Sequence, residues 1–124
     1  MAKHLKKEKE AFSLKHVGVK NGEDLKPIEI DRDSPVLLIG DSYTLVFHDP
    51  ALFTKGAGLP DHLALHLGIP VDLVAVMGSA ATATRIDLYR RKDELKGKKL
   101  VIWVSSMREF TESVSGWRLV PIIK

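Results

Sequence analysis

The sequence contains no cysteine, and this absence excludes disulfide bonds, thiolate metal sites and cysteine nucleophiles together. It has no run of about 18 apolar residues, so no segment is predicted to insert directly into a membrane. The first ten residues are nearly all polar and lack the pattern of a secretory signal peptide. The remaining composition, 44% hydrophobic and 28% charged over 124 residues, is typical of one soluble globular domain.

The net charge is modest, at +3, and part of it lies in the first ten residues. This segment has no interleaved aromatic residues and no long basic stripe, so it is predicted to form a solvated turn or short helix rather than a nucleic-acid-binding arm. No nucleic acid is expected among the partners. The basic residues of the segment, which Glu8 and Glu10 interrupt, are Lys3, His4, Lys6, Lys7 and Lys9.

The hydrophobic patterns predict two kinds of strand. Alternation of apolar and polar residues over 12–19 and 25–30 indicates a hairpin with a turn at Asn21-Gly22. Continuous apolar runs are typical of parallel strands that are buried on both faces. These runs cover residues 36–39, 71–77 and 100–104. A weak alternation over 117–123, which includes Pro121, suits an edge strand.

Helices are predicted between the buried strands. Apolar residues at three- to four-residue spacing indicate helices over 59–67 and 80–95, while 44–58 reads as a loop beside the end of the first buried strand. This order predicts an α/β fold: a three-layer flavodoxin-like, doubly wound, mostly parallel sheet with an amino-terminal β-hairpin. Residues 1–34 form the basic segment and hairpin, and 35–124 form the α/β domain.

Ligands of such sheets collect at the carboxyl ends of the strands, where three polar turns are expected to meet. The first carries Asp41-Ser42, the second Gly78-Ser79, and the third Ser105-Ser106 followed by Arg108. A serine at a strand-to-helix turn projects its hydroxyl above the sheet, as an acyl-transfer nucleophile requires. The alternative is that the Gly-Asp-Ser turn only caps the next helix.

Taken in order, these segments make the chain similar to the SGNH hydrolase superfamily, in the branch that resembles alginate O-acetyltransferases. The resemblance covers residues 35–124. The matching segments are 38–43, 57–59, 62–64, 67–68, 70–72, 83–85, 101–103, 108–110 and 116–117. The resemblance implies a serine O-acetyltransferase or acetylesterase domain, and it implies that these residues are only the carboxyl-terminal part of the enzyme.

The resemblance also implies roles for single residues. Ser42 would be the nucleophile, and the backbone N–H groups of Ser42 and Gly78 would form the oxyanion hole. Asp41 and Ser79 belong to the same oxyanion and substrate-binding group. Arg108 is assigned to oxyanion or substrate contact, with a salt bridge to Glu109 or another carboxylate as the equal alternative.

The chain departs from the superfamily pattern in two ways. Ser105 and Ser106 stand where an asparagine oxyanion donor is expected, and neither family spacing of the triad aspartate and histidine is present. The plausible internal base is His48, which has Asp49 beside it in the loop next to Ser42. His62 and His66 lie one helical turn apart beside Asp61, which invites a metal site, but two histidines on a surface helix are usually solvated, so no metal and no other cofactor is predicted.

An acetylated sugar or polysaccharide is the substrate that the resemblance implies, together with a membrane acyl-transfer protein as a partner. It also implies a location in the periplasm or cell envelope. Two other functions stay open at this point. In the first, the chain is a catalytically silent carbohydrate-binding or scaffold module of the same fold. In the second, it is a flavodoxin-like anion or nucleotide binder that uses the Ser42 and Ser79 turns. No glycine-rich phosphate fingerprint supports the latter.

Overall fold

A computed structural model describes residues 10–78, 81–112 and 114–124. The predicted basic segment at residues 1–9 and the candidate Ser79 lie outside these ranges. The strands are β1 (Gly18–Asn21), β2 (Asp24–Pro27), β3 (Val36–Gly40), β4 (Asp72–Ala75) and β5 (Leu100–Trp103). The helices are α1 (Ser42–Leu45), α2 (Leu59–Leu67), α3 (Ala81–Arg91) and α4 (Arg108–Thr111), with a 3-10 helix at Pro50–Leu52.

The predicted amino-terminal hairpin is present but shorter than its alternation suggested. Strands β1 and β2 pair in antiparallel fashion with Asn21 opposite Asp24, so Gly22 and Glu23 form the turn. Gly22 has a φ of 67°, a left-handed conformation that glycine adopts without strain. Residues before Gly18 leave the hairpin, and the Val17 N–H instead donates to the Gly56 carbonyl oxygen. The hairpin is therefore tied to the loop that follows α1.

The main sheet has three parallel strands in the order β4-β3-β5, so the strand that leads to Ser42 lies in the centre. Leu38 of β3 is in register with Leu73 of β4 and with Ile102 of β5. All five residues of β3 are buried, as its apolar run predicted. The chain is thus a small α/β protein with a parallel three-stranded sheet and an antiparallel strand pair.

The two faces of β3 meet different helices. Leu37 and Ile39 pack with Val74 and with Leu88 of α3 in one hydrophobic cluster, against which Leu95 and Ile122 also pack. The opposite face carries Gly40, where a Cβ atom would overlap the side chain of Thr44 in α1. Glycine at this position allows α1 to pack directly against the end of β3.

Two predictions for the carboxyl-terminal part were wrong. β5 is not buried on both faces: Leu100, Val101 and Trp103 are 46%, 45% and 41% exposed, because within the described residues only β3 pairs with it. Residues 117–123 do not form an edge strand. Pro121 in this segment has no backbone N–H to donate to a ladder, and Ile122 instead packs against the core.

A buried ionic cluster is centred on Asp72 at the start of β4. The Asp72 carboxylate is fully buried, and its two oxygens lie 2.8 and 2.7 Å from Nη1 of Arg91. Nζ of Lys98 lies 2.9 Å from Oδ2 of Asp72 and donates to the Ser34 carbonyl oxygen at 2.8 Å. The cluster joins α3, β4 and the segments before β3 and β5.

Among the described residues no helix is long and apolar enough to cross a membrane.

The predicted helix over 80–95 ends earlier than expected, at Arg91. Lys92, Glu94 and Leu95 have φ values of 56°, 51° and 59°, and a right-handed helix does not continue through residues in this left-handed region.

Candidate functional site

Ser42 is the first residue of α1, directly after the central strand. Asp41 is the N-cap of this helix, and its Oδ1 accepts a hydrogen bond from the Tyr43 N–H at 2.9 Å. The Ser42 side chain is partly exposed at the carboxyl edge of the sheet. The chain therefore makes the strand-to-helix turn that the Gly-Asp-Ser motif predicted, with the serine at an accessible position.

Asp41 also connects two strand ends. Its Oδ2 accepts a hydrogen bond from the Ser106 N–H at 3.3 Å, and the residue is only 7% exposed. One oxygen of the carboxylate thus caps the first turn of α1, which Ser42 begins, while the other holds the segment after β5. These contacts give Asp41 a positioning role at the predicted site, since both of its oxygens already accept protein hydrogen bonds.

His48 and Asp61 form a buried pair next to this turn. Nδ1 of His48 lies 3.0 Å from Oδ2 and 3.1 Å from Oδ1 of Asp61, and the two side chains are 11% and 1% exposed. Oδ2 of Asp61 also accepts the Gly58 N–H at 2.9 Å, which caps the amino terminus of α2. A carboxylate that holds Nδ1–H of a histidine leaves Nε2 as the nitrogen that can accept a proton.

The aspartate that contacts His48 is not Asp49, its neighbour in the sequence. Asp49 caps the 3-10 helix instead, and its Oδ1 accepts the Ala51 N–H at 2.9 Å. The sequence did contain a signal for Asp61, because Gly58, Pro60 and Asp61 match the usual start of a helix. Gly58 takes the N-cap position, Pro60 lies in the first turn and Asp61 takes the N3 position. That pattern predicts a cap, but it does not predict which side chain the same carboxylate meets across the fold.

Ser42 and His48 belong to neighbouring segments at the carboxyl edge of the sheet. Helix α2 ends a few residues before β4 begins, so its first turn, which holds Asp61, lies toward the carboxyl ends of the parallel strands. The His48 N–H donates to the Leu45 carbonyl oxygen, which keeps the histidine beside α1. Across the described ranges no hydrogen bond joins Ser42 to His48.

Gly78 follows β4 at the same edge of the sheet. Its φ is 84°, and a Cβ atom placed on it would meet no heavy atom within 4 Å. A left-handed backbone with open space around it suits close approach of a ligand. The preceding segment is held to the central strand, since the Val76 N–H donates to the Gly40 carbonyl oxygen at 3.3 Å.

The Arg108 side chain is exposed, and its Nε donates to Oε2 of Glu112 at 3.2 Å. The salt bridge that was the alternative for this arginine is therefore present, with Glu112 rather than Glu109. Exposed pairs of this kind contribute little stability, and the guanidinium remains open to solvent at the carboxyl edge.

Arg85, which lies in α3, folds back onto its own helix. Its Nε donates to the Ala81 carbonyl oxygen at 2.7 Å, and its Cζ lies 5.7 Å from the centroid of the Trp117 ring. His62, in turn, lies with Nε2 3.0 Å from the Lys15 carbonyl oxygen. No group of three or more His, Asp or Glu side chains in the described part of the chain is arranged to hold a metal ion.

Comparison with known proteins adds no family assignment to this geometry: no family model, curated protein or solved structure matches the chain. The resemblance to SGNH hydrolases therefore stays a prediction from the motifs. What the chain offers for chemistry is a serine at a strand end, a histidine oriented by a buried carboxylate, and an open glycine turn after the neighbouring strand.

Proposed function

We propose that this protein is a serine acyltransferase or esterase domain of the SGNH hydrolase type, which moves an acetyl group to or from a carbohydrate hydroxyl through Ser42. The observation that carries the proposal is the pair formed by His48 and Asp61, because it supplies the kind of oriented base that the motifs alone did not provide. Serine is a weak nucleophile without such a base.

In the first half of the reaction, the Ser42 hydroxyl attacks the carbonyl carbon of an acetyl ester while its proton passes to Nε2 of His48. The carbon–oxygen bond to the donor alcohol then breaks, and the leaving oxygen takes the proton from His48. In the second half, a sugar hydroxyl or water gives its proton to Nε2 of His48 and attacks the carbonyl carbon of the acetyl-serine ester. The bond between this carbon and the Ser42 oxygen then breaks, and His48 returns the proton to that oxygen.

Asp61 has the positioning role in this scheme. Its carboxylate holds Nδ1–H of His48, selects the tautomer with a free Nε2 and stabilises the imidazolium that forms. The partner carboxylate is almost fully buried, so this interaction is poorly screened by solvent. Catalytic hydrogen bonds are often long or poorly aligned before the substrate binds, and the proposal requires the one between Ser42 and His48 to form in the complex.

The oxyanion of the tetrahedral intermediate would accept hydrogen bonds from the N–H groups of Ser42 and Gly78. The open space around Gly78 and its left-handed backbone support this assignment. Removal of one such donor raises the barrier by roughly 3 kcal/mol in enzymes of this kind. Arg108 would contact the substrate from the segment after β5, and Ser79 belongs to the same proposed group.

The three-layer, flavodoxin-like arrangement is part of the proposal. Its support is the central position of β3, with α1 on the face of Gly40 and α3 on the face of Leu37 and Ile39. The proposed substrate is an acetylated sugar or polysaccharide, the proposed partner is a membrane acyl-transfer protein, and the proposed location is the periplasm or cell envelope. These three assignments depend on the resemblance.

The test is covalent labelling by a fluorophosphonate together with hydrolysis of p-nitrophenyl acetate. We expect one label per chain on Ser42 and none on Ser42→Ala. His48→Gln should reduce ester hydrolysis by about 10² to 10⁴-fold, the usual contribution of a general base. Asp61→Asn should reduce it as well, since the amide still caps α2 but no longer stabilises the imidazolium.

Asp49→Asn is the matched control, because Asp49 is next to His48 in sequence but caps a different helix. It should leave hydrolysis unchanged. Equal effects of Asp49→Asn and Asp61→Asn would contradict the assigned pair, and wild-type protein that is not labelled at Ser42 would remove the catalytic proposal. Thermal melting of each variant separates loss of chemistry from loss of fold.

One observation favours a second function, that of a catalytically silent carbohydrate-binding or scaffold module. Ser42 and His48 are not hydrogen-bonded in the described structure, and the Asp61 carboxylate already has a structural role as a helix cap. A silent module would bind polysaccharide equally well with Ser42→Ala and would not react with fluorophosphonate.

A further inference from the structure

Three aromatic side chains form a cluster after the last strand of the sheet. The ring centroids of Trp103 and Trp117 are 5.5 Å apart with planes tilted by 38°, and those of Phe110 and Trp117 are 5.3 Å apart with a tilt of 51°. The Trp117 Nε1–H donates to the Glu109 carbonyl oxygen at 3.3 Å, and Arg85 lies against the Trp117 ring. The rings are therefore held in defined positions by each other and by polar contacts.

The cluster is nevertheless open to solvent. Phe110 is 63% exposed, Trp103 is 41% exposed and Trp117 is 38% exposed. A cavity of about 420 Å³ lies beside them, lined by Glu109, Phe110, Gly116 and Trp117. The cavity is shallow and open to solvent, so a ligand would lie on its aromatic surface rather than be enclosed. Rigid aromatic surface that is left exposed next to a carboxylate is typical of a binding site rather than a core.

The cluster lies at the same edge of the sheet as Ser42. Trp103 is in register with Ile39, two residues before Asp41. The segment after Trp103 is tied to Asp41 through the Ser106 N–H, and α4, which carries Phe110, begins two residues later. Trp103 shares its face of the sheet with Leu37 and Ile39, so the cluster is on the α3 side of the strand ends, whereas His48 is beside α1.

We propose that the aromatic cluster is a saccharide-binding subsite, with a pyranose ring stacked on Phe110 and Trp117. The axial C–H groups of a pyranose form an apolar face that packs on an aromatic ring, while its hydroxyls need acceptors such as a carboxylate at the ring edge. Glu109 is one of the residues that line the cavity, and it carries a carboxylate of the kind that sugar hydroxyls donate to. The inference deepens the proposed function, on which it rests, by naming the surface that holds the sugar beside Ser42.

The chain has only two tryptophans, and both belong to the cluster, so intrinsic tryptophan fluorescence reports on this site alone. We expect titration of the full chain with chitotetraose, cellotetraose or tetragalacturonate to change the fluorescence saturably for at least one of them. The three probes distinguish N-acetylated, neutral and uronate sugars that share the pyranose ring.

Phe110→Ala keeps both reporters and should weaken the binding by about tenfold, the effect of removing an aromatic anchor. Phe53→Ala is the matched control, because Phe53 is 78% exposed and stacks on Phe47, away from the cluster. It should bind like the wild type. Ser42→Ala should also bind like the wild type, so that failure of catalysis and failure of the subsite are distinguishable.

The proposal is overturned if none of the three oligosaccharides changes the fluorescence, or if Phe110→Ala binds as tightly as Phe53→Ala. A response to decaproline alone would also overturn it, because aromatic grooves of this kind bind proline-rich peptides as well. Binding by the wild type together with an absence of fluorophosphonate labelling would remove the catalytic function and leave the subsite in place.

Discussion

The carboxylate of Asp41 links the Ser106 backbone to the first turn of α1, which Ser42 begins. Oδ2 accepts the Ser106 N–H at 3.3 Å, and Oδ1 accepts the Tyr43 N–H at 2.9 Å. The end of the central strand and the end of β5 are therefore held by one side chain. Because the proposed nucleophile and the aromatic cluster lie on the two sides of this contact, Asp41 determines how they are placed relative to each other.

Asp41→Ala should lower the free energy of unfolding by about 1 to 3 kcal/mol, since it removes a helix cap and leaves a second N–H without its acceptor. Asp41→Asn should cost less, because the amide oxygen still caps α1. Urea denaturation measures both. Asp49→Ala, which removes only the cap of the short 3-10 helix, is the control. Its loss of unfolding free energy should lie near the low end of the same range. Equal values for Asp41→Ala and Asp49→Ala would show that the contact with Ser106 adds nothing.

Gly58 allows the loop that carries His48 to pack on the start of α2. A Cβ atom at this position would lie 2.8 Å from the backbone nitrogen and the Cβ of His48, and 2.8 Å from the Val46 carbonyl oxygen. Gly58→Ala should therefore displace His48 from Asp61, lower stability by about 1 to 3 kcal/mol and reduce ester hydrolysis. Gly68→Ala is the control for a glycine with no close neighbours, although its φ of 72° adds a local backbone cost.

The measurement that distinguishes Gly58→Ala from Gly68→Ala is the rate of ester hydrolysis per folded molecule. Gly68→Ala should retain the rate of the wild type per folded molecule, since Gly68 ends α2 at the far side from His48. A Gly58→Ala variant that is as active as Gly68→Ala would argue against a role for the position of His48.

Local patterns predicted those parts of the fold that local interactions determine. The buried run of β3 was predicted within one residue, and the span of α2 was predicted at both ends because its periodicity stops at a glycine with αL backbone. The half-exposed state of β5 was not predictable, since an apolar run has the same appearance in a central strand and at the edge of a sheet. The pair of His48 and Asp61 was also missed, because residues 13 apart are brought together only by the packing of α1 on α2.

Thr44 is a buried polar residue whose hydroxyl has no hydrogen-bond partner among the described residues. Its Oγ1 is inaccessible to solvent and lies against Gly40, and the residue is 1% exposed. Thr44→Val replaces this hydroxyl by a methyl group of similar shape and should stabilise the protein by about 1 kcal/mol, measured by urea denaturation. Thr84→Val is the matched control: the Thr84 hydroxyl is equally buried but donates to the Ala81 carbonyl oxygen, so its loss should not stabilise. A Thr44→Val variant that is destabilised to the same extent as Thr84→Val would contradict the assignment.

Asp72 is a fully buried anion, and two cationic side chains contact it. Arg91 contacts both carboxylate oxygens, and the side chain of Lys98 is 5% exposed at 2.9 Å from Oδ2. Asp72→Asn would leave both positive charges in a poorly solvated place, so the free energy of unfolding should fall by about 3 to 5 kcal/mol in urea denaturation. Asp87→Asn, which breaks an exposed pair with Arg90, should change it by less than about 1 kcal/mol. Asp72 is at the amino end of β4, away from Ser42, so folded Asp72→Asn protein should still be labelled by fluorophosphonate if the labelling reaction depends only on the carboxyl edge. If Asp72→Asn and Asp87→Asn lower the free energy of unfolding by similar amounts, the ionic cluster does not hold α3 to the sheet.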